Sequence, residues 1–208
     1  HETGAFGFPL EYVNRKNLDE WKLRLNRRTL PEVLDELRAR RTSPNGVFGI
    51  KVHYSHIEEF GGFKAMCKML PNPHFVLLTR EDVMAQAVSL AVARQTGTWI
   101  SQQGKPAADP EYNFEDIEAG LRRVSLENAS WRYTLAATGS KYMELNFADV
   151  KANTANSVLR IADFMDLAVE SHRIPPTPVT KKQSNILNKQ WQVRFQPEFK
   201  GDDELLRF

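Results

Sequence analysis

The 208-residue chain contains one cysteine, Cys67. A single thiol excludes an internal disulfide, and this usage fits a reducing compartment, so a cytoplasmic location is expected. No apolar run approaches the roughly 20 residues that a membrane-spanning helix needs. Neither sign of charge dominates: 28 Lys and Arg against 26 Asp and Glu leave a formal charge of +2. That balance removes the bulk electrostatic argument for a nucleic-acid or membrane partner. The five histidines are scattered, without the spacing of a metal site, and no residue pattern calls for a metal. The chain shows no internal repeat or low-complexity stretch, and its first residues lack the basic start and apolar centre of a signal peptide. What remains is an ordinary globular composition, long enough for a single domain over 1–208 with a sizeable core.

The most informative stretch is 74–99, HFVLLTREDVMAQAVSLAVARQTGTW. Its short apolar run, 75–78, reads as a fully buried strand. The charged triplet Arg80-Glu81-Asp82 opens a long apolar-periodic helix, where acidic residues suit the first turn. Strand, sharp turn and helix form the unit of open α/β sheets, in which ligands sit outside the carboxyl ends of the strands. Arg80 stands at that end. Ser89 lies two and a half turns into the helix, about 13 Å along its axis. A guanidinium and a hydroxyl converging there would suit a phosphate.

Elsewhere, Gly4, Gly7 and Pro9 mark an N-terminal loop that leads into Glu11. Residues 15–45 read as helical, with a capping box at Thr29 and Glu32. Arg27 and Arg28 read as a solvated face. Residues 47–54, VFGIKVHY, read as a second buried strand that puts Lys51 and His53 on one face near its carboxyl end. An amphipathic helix is expected over 56–70, weakened at Gly61-Gly62, with Cys67 as a packed thiol on its apolar stripe. A loop over 97–113 follows, opened by Trp99. Then come a long helix over 114–138, a strand over 141–148 and a helix over 154–167. Prolines precede a last segment that contains Lys182, Gln183 and Trp191.

The pattern R-x-D-x-x-x-Q-A-V-S followed by Q-T-x-x-W over 80–99 resembles the trehalose 2-sulfotransferase-like family. These are bacterial carbohydrate sulfotransferases that use 3′-phosphoadenosine 5′-phosphosulfate (PAPS). Two further stretches carry the likeness: T-G-x-x-G-x-P-x-E-Y over 3–12, and K-Q-x-x-x-x-N-x-x-W-x-x-R-F over 182–195. The resemblance implies that Arg80 and Ser89 hold the 3′-phosphate of the donor. It makes Glu11 the general base toward the sugar hydroxyl, a role a carboxylate within hydrogen-bond reach can fill. Lys51 becomes a candidate on the substrate or sulfate side, and Trp99 a candidate face for a sugar ring. Lys182, Gln183 and Trp191 would help close over the nucleotide. Other sulfotransferases use a histidine after a comparable strand, which makes His53 the rival base. Packing roles for Trp99, Trp191 and His53 stay open on the residues alone.

The implied fold is α/β, a three-layer P-loop-type sulfotransferase domain around a central, mainly parallel sheet. Family members begin with a strand and a Ser/Gly/Thr-rich phosphosulfate loop, which this chain lacks; the expectation is that both belong before His1. The implied function is transfer of a sulfuryl group from PAPS, a co-substrate, to a carbohydrate or glycolipid hydroxyl. No metal, nucleic acid or membrane span is expected, and a homodimer is one state such proteins take. Two alternatives stand beside this reading: a kinase-like nucleotide-binding enzyme, and a non-catalytic binding module that has lost the phosphosulfate loop.

Overall fold

The computed structural model describes residues 2–99, 108–175 and 186–201. Helix boundaries follow from their caps. In α1 (Arg15–Leu25), the Asn14 side chain accepts the Asn17 amide, and the helix stops at Asn26 in the left-handed conformation. In α2 (Leu30–Arg41), the expected capping box is present in both directions: the Thr29 side chain bonds the Glu32 amide, and Glu32 bonds the Thr29 amide. Arg27 pairs with Glu36 at 2.9 Å. The helix expected over 56–70 is split. A 3-10 helix covers Tyr54–Phe60 and α3 covers Phe63–Met69. Between them Gly61 and Gly62 take φ of 78° and 107°, conformations a side chain would strain.

Strand β1 (Phe75–Thr79) leads into α4 (Val83–Thr96), capped by Asp82 on the Ala85 amide. Helix α5 (Phe114–Ala137) then returns the chain to β2 (Tyr142–Asn146). The strands pair in parallel, Phe75 opposite Tyr142 and Thr79 opposite Asn146. Residues 147–148, expected to extend β2, instead start α6 (Phe147–Ala152), because the Asn146 side chain caps the Ala148 amide. Helices α7 (Thr154–Phe164) and α8 (Ile186–Glu198) complete the described elements.

Two expectations need correction. Strand β1 is not buried on both faces: Leu77 and Thr79 point inward, while Leu78 on the other face is 53% exposed. Residues 47–54 do not form a strand; they contribute one parallel bridge, Ile50 to Leu10. Gly49 gives the reason. A Cβ there would fall 2.3 Å from the Phe6 carbonyl oxygen, so this segment is pressed onto the N-terminal loop instead of lying along a sheet. The architecture is mixed helix and strand with a small parallel sheet.

Two apolar cores hold it together. The first joins Tyr12, α1, α2 and the 3-10 helix to Trp131 and Leu135 at the end of α5. The second joins α4, the start of α5 and α8 through Val88, Ala91, Ile117, Trp191 and Phe195. Each fully buried Leu or Val contributes about 1.5–3 kcal/mol. Helix α5 spans both cores. It approaches α4 closely at Gly120, where a Cβ would sit 3.2 Å from the Ala87 carbonyl oxygen.

Candidate active site

Local sequence places Glu11. Gly7 sits at φ +65°, and a Cβ there would lie 2.8 Å from both the Gly49 nitrogen and the Val47 oxygen. Only glycine allows this approach. The Ser43-Pro44-Asn45-Gly46 turn clasps the loop from outside: the Gly7 amide donates to Ser43 Oγ at 3.1 Å, and Asn45 Nδ2 donates to the Ala5 carbonyl at 3.0 Å. The Lys51 amide then donates to the Leu10 carbonyl at 2.9 Å, which sets Glu11 beside residues 51–53. Asn14 Nδ2 donates to Glu11 Oε1 at 2.9 Å, and Asn17 Nδ2 donates to the Glu11 carbonyl at 2.6 Å. The start of α1 therefore fixes both the backbone and the carboxylate of Glu11.

Three residues singled out in the sequence meet here. Glu11 Oε2 is 3.2 Å from Lys51 Nζ and 3.7 Å from His53 Nε2. On the other side of the imidazole, His53 Nδ1 is 3.6 Å from Glu127 Oε2. Glu127 Oε1 accepts from Arg123 Nε at 3.0 Å, and Arg123 Nη2 donates to Ser55 Oγ at 3.1 Å. His53 beside Glu11, helped by Asn14 and Lys51, holds the Glu11 carboxyl far below the usual carboxylate range, against the opposing effect of burial. Glu11 and then Glu127 raise the His53 imidazole to about 9, so it is an imidazolium at neutral pH. Burial opposes ionisation of Glu127, but His53, Ser55 and Arg123 together bring its carboxyl down to about 2.

His56 behaves differently. It is buried, and its Nδ1 accepts the His53 amide at 3.2 Å. Burial, with the positive His53 nearby, lowers its basicity. A neutral ring with Nδ1 as acceptor carries its proton on Nε2, the nitrogen 3.6 Å from Glu11 Oε1.

A second feature lies outside the carboxyl ends of the strands, where parallel sheets hold their ligands. It is a polar cleft of about 490 Å³. Thr79, Arg80 and Asn146 line it with Asn128, Arg132 and Arg160. Thr79 Oγ1 donates to Glu144 Oε1 at 3.0 Å, and the same carboxylate pairs with Arg132. The Arg80 guanidinium lies 4.2 Å over the Phe147 ring.

The other candidates are dispersed. Ser89 does not line this cleft; it faces α8, where Asn188 Nδ2 donates to its Oγ at 3.0 Å. Trp191 is 5% exposed and meets Tyr112 edge-on at 5.8 Å, a packing position in the second core. Trp99 is 55% exposed. Lys182 and Gln183 lie outside the described residues, as do residues 100–107 of the loop after Trp99. Among the described residues, no group of three or more His, Cys, Asp or Glu is arranged to hold a metal ion, and no helix is long and apolar enough to cross a membrane.

Sequence reasoning missed Glu127, His56, Asn14 and Arg123. Glu127 left a trace. The buried stripe of α5 runs Ile117, Gly120, Val124, then Trp131 and Leu135. The step from Val124 to Trp131 skips a turn, and Glu127 stands where the next apolar residue would fall. A carboxylate on an inward stripe signals a buried partner.

A helix-and-strand chain with a small parallel pair and a cleft at its carboxyl ends has the character of the α/β class. Residues 1–198 match the Stf0 sulphotransferase family, and the chain belongs to that family. A curated relative, the trehalose 2-sulfotransferase of Mycobacterium tuberculosis (strain ATCC 35801 / TMC 107 / Erdman), is 25% identical over 184 residues, covering 79% of this chain and 66% of that protein. The chain thus spans about two thirds of the length of the curated relative it matches.

Proposed function

We propose that this protein transfers a sulfuryl group from PAPS to a hydroxyl of a carbohydrate or glycolipid, within one three-layer α/β domain of the P-loop sulfotransferase type. The observation that carries the reading is the meeting of Glu11, Lys51 and His53 in one corner of a chain that belongs to a sulfotransferase family. The trehalose acceptor named for the relative favours a sugar.

In this mechanism the acceptor oxygen attacks sulfur in line and its proton passes to a Glu11 oxygen. The sulfur–oxygen bond to the donor breaks, and 3′-phosphoadenosine 5′-phosphate leaves. Glu11 takes the role of base over His53 because His53, raised to about 9, already carries its proton. A strongly acidic carboxyl is a weak base. It suffices when proton transfer is late, as in loose transition states of the phosphoryl-transfer kind. Lys51 and the His53 imidazolium, both beside Glu11, are then suited to the charge on the sulfuryl oxygens. Arg80 would bind the 3′-phosphate, its plane set by Phe147. Ser89 accepts from Asn188, and its own O–H would donate to the same phosphate. Lys182 and Gln183 would approach the nucleotide directly, and Trp191 would hold α8 in place for them. Trp99 would face the acceptor.

Calorimetric titration of the full-length protein with 3′-phosphoadenosine 5′-phosphate tests the reading. The nucleotide should bind, and Arg80→Ala should weaken it at least tenfold, about 1.4 kcal/mol. Absence of binding by the wild type would sink the sulfuryl-transfer reading in favour of a non-catalytic module.

A further inference from the structure

We propose that Glu127 is a positioning residue of this corner: from the inward stripe of α5 it engages Nδ1 of His53 and so turns Nε2 of the ring toward Glu11. The inference rests on the reading of Glu11, Lys51 and His53 as the reacting corner, and adds to it a residue from a distant element.

The geometry is a chain of three groups. Glu127 Oε2 lies 3.6 Å from Nδ1, and Glu11 Oε2 lies 3.7 Å from Nε2. Ionised carboxylates only accept hydrogen bonds. A ring with a carboxylate within ion-pair range of each nitrogen is complementary to both only as the imidazolium, which turns an N–H toward each. A neutral ring would leave one carboxylate facing a lone pair, and a flipped ring would turn carbons toward the positions its nitrogens now hold. Glu127 is itself anchored by Arg123, which also reaches Ser55 beside His53. The charged or titratable groups facing His53 are Glu11 and Lys51 from the N-terminal segments, His56 from its own 3-10 helix, and Glu127 with Arg123 from α5. His56 stands edge-on, ring centres 5.1 Å apart. As a neutral ring it adds no second cation.

Packing alone does not explain Glu127. Its neighbours on the stripe, Val124 and Trp131, belong to the buried set. A leucine there would bury apolar surface without the desolvation cost of a carboxylate, and buried ion pairs are commonly matched or bettered by apolar replacements. What Glu127 adds that leucine cannot is a second carboxylate, at Nδ1, that holds the ring and supports the proton Glu11 already favours. That cation places positive charge beside the reacting oxygen.

The test follows the His53 ring proton by NMR, assigned by its loss in His53→Gln. In the full-length wild type the ring should titrate near 9. Glu127→Gln keeps the shape but removes the charge and turns one accepting oxygen into an NH2 donor, so the titration should fall by at least one unit, a tenfold loss of proton affinity. Glu127→Asp keeps the charge one methylene further away and should give a smaller fall; it carries the same comparison if the first variant does not fold. An unmoved His53 titration in these variants overturns the proposal. With PAPS and trehalose as substrates, the alkaline limb of kcat/KM should move down with His53 in Glu127→Gln, while the KM for PAPS stays. A limb that stays put while His53 shifts overturns the catalytic link. If His53 shifts but the wild type transfers no sulfuryl group, positioning by Glu127 stands and the sulfuryl-transfer reading falls.

Discussion

The corner around Glu11 and the seam between α4 and α8 treat their polar side chains in opposite ways. In the corner, Lys51, His53, Glu11, Glu127 and Arg123 are charged and mutually engaged, with His53 still 41% exposed. In the seam, Ser89 and Asn188 are neutral, pair with each other, and lie among apolar side chains sealed by Trp191 and Phe195. Opposite charges that satisfy one another near solvent can be rearranged when a substrate arrives. A neutral hydrogen-bonded pair ties α4 to α8. The corner is therefore suited to chemistry, and the seam to holding α8 against α4.

The sharpest break of this contrast is Trp191→Ala. It should cost about 3–5 kcal/mol of stability, read by denaturant unfolding, because α8 loses its main anchor. If stability holds while nucleotide affinity collapses, Trp191 belongs to the ligand and not to the core. Glu11→Gln should act mainly on catalysis: sulfuryl transfer should fall about 100-fold, near 2.7 kcal/mol of transition-state stabilisation, and some stability should go with it, because the pairs to Lys51 and His53 are lost with the charge. A retained rate would remove Glu11 as the base.

Acid and alkali should separate the regions next. Glu127, held at about 2 against an unfolded 4.5, contributes stability that is fully present above pH 4.5 and is lost as pH falls toward 2. Glu11, also lowered, acts in the same direction. His53, raised to about 9 from 6.5, contributes stability that is full below pH 6.5 and disappears as pH rises through 9. Unfolding free energy should therefore decline at both ends, and His53→Gln should flatten the alkaline decline. Ser89, Asn188 and Trp191 do not titrate in this range, so substitutions in the seam should shift the whole curve without changing its shape. The smallest effect is Ser89→Ala. It leaves Asn188 without that acceptor and should cost about 1 kcal/mol of stability, with a loss of nucleotide affinity beside it; unchanged affinity would leave Ser89 in the seam alone.

Much of this was legible locally. The Thr29–Glu32 box, the long stripe of α5 and the β1–α4 unit depend on residues within one or two turns of each other, and each forms where the sequence places it; Asp82, expected in the first turn of α4, caps it instead. Residues 47–54 misled because their apolar, β-branched composition suits a strand, whereas the close approach of Gly49 to Phe6 depends on a loop some forty positions earlier. The split at Gly61-Gly62 was visible as weakness, but the positive φ values that make it a break were not. Trp191 could have been read as ligand contact or packing from its motif; its burial against Tyr112 decides where the ring lies. His56 resembled any histidine on an amphipathic segment until its Nδ1 met the His53 amide.

By itself the sequence determined the long helices, the Thr29–Glu32 cap, the β–α unit and the residue types fit for anion and proton chemistry, because short-range backbone and periodicity rules act within a few residues. Only the tertiary structure decided which of them meet. The clasp of Gly7 against Gly49 brings Glu11 to Lys51 and His53, and the course of α5 brings Glu127 to the far side of the same ring. Such contacts join positions far apart in the chain, and their electrostatics fall off with distances that no linear spacing records.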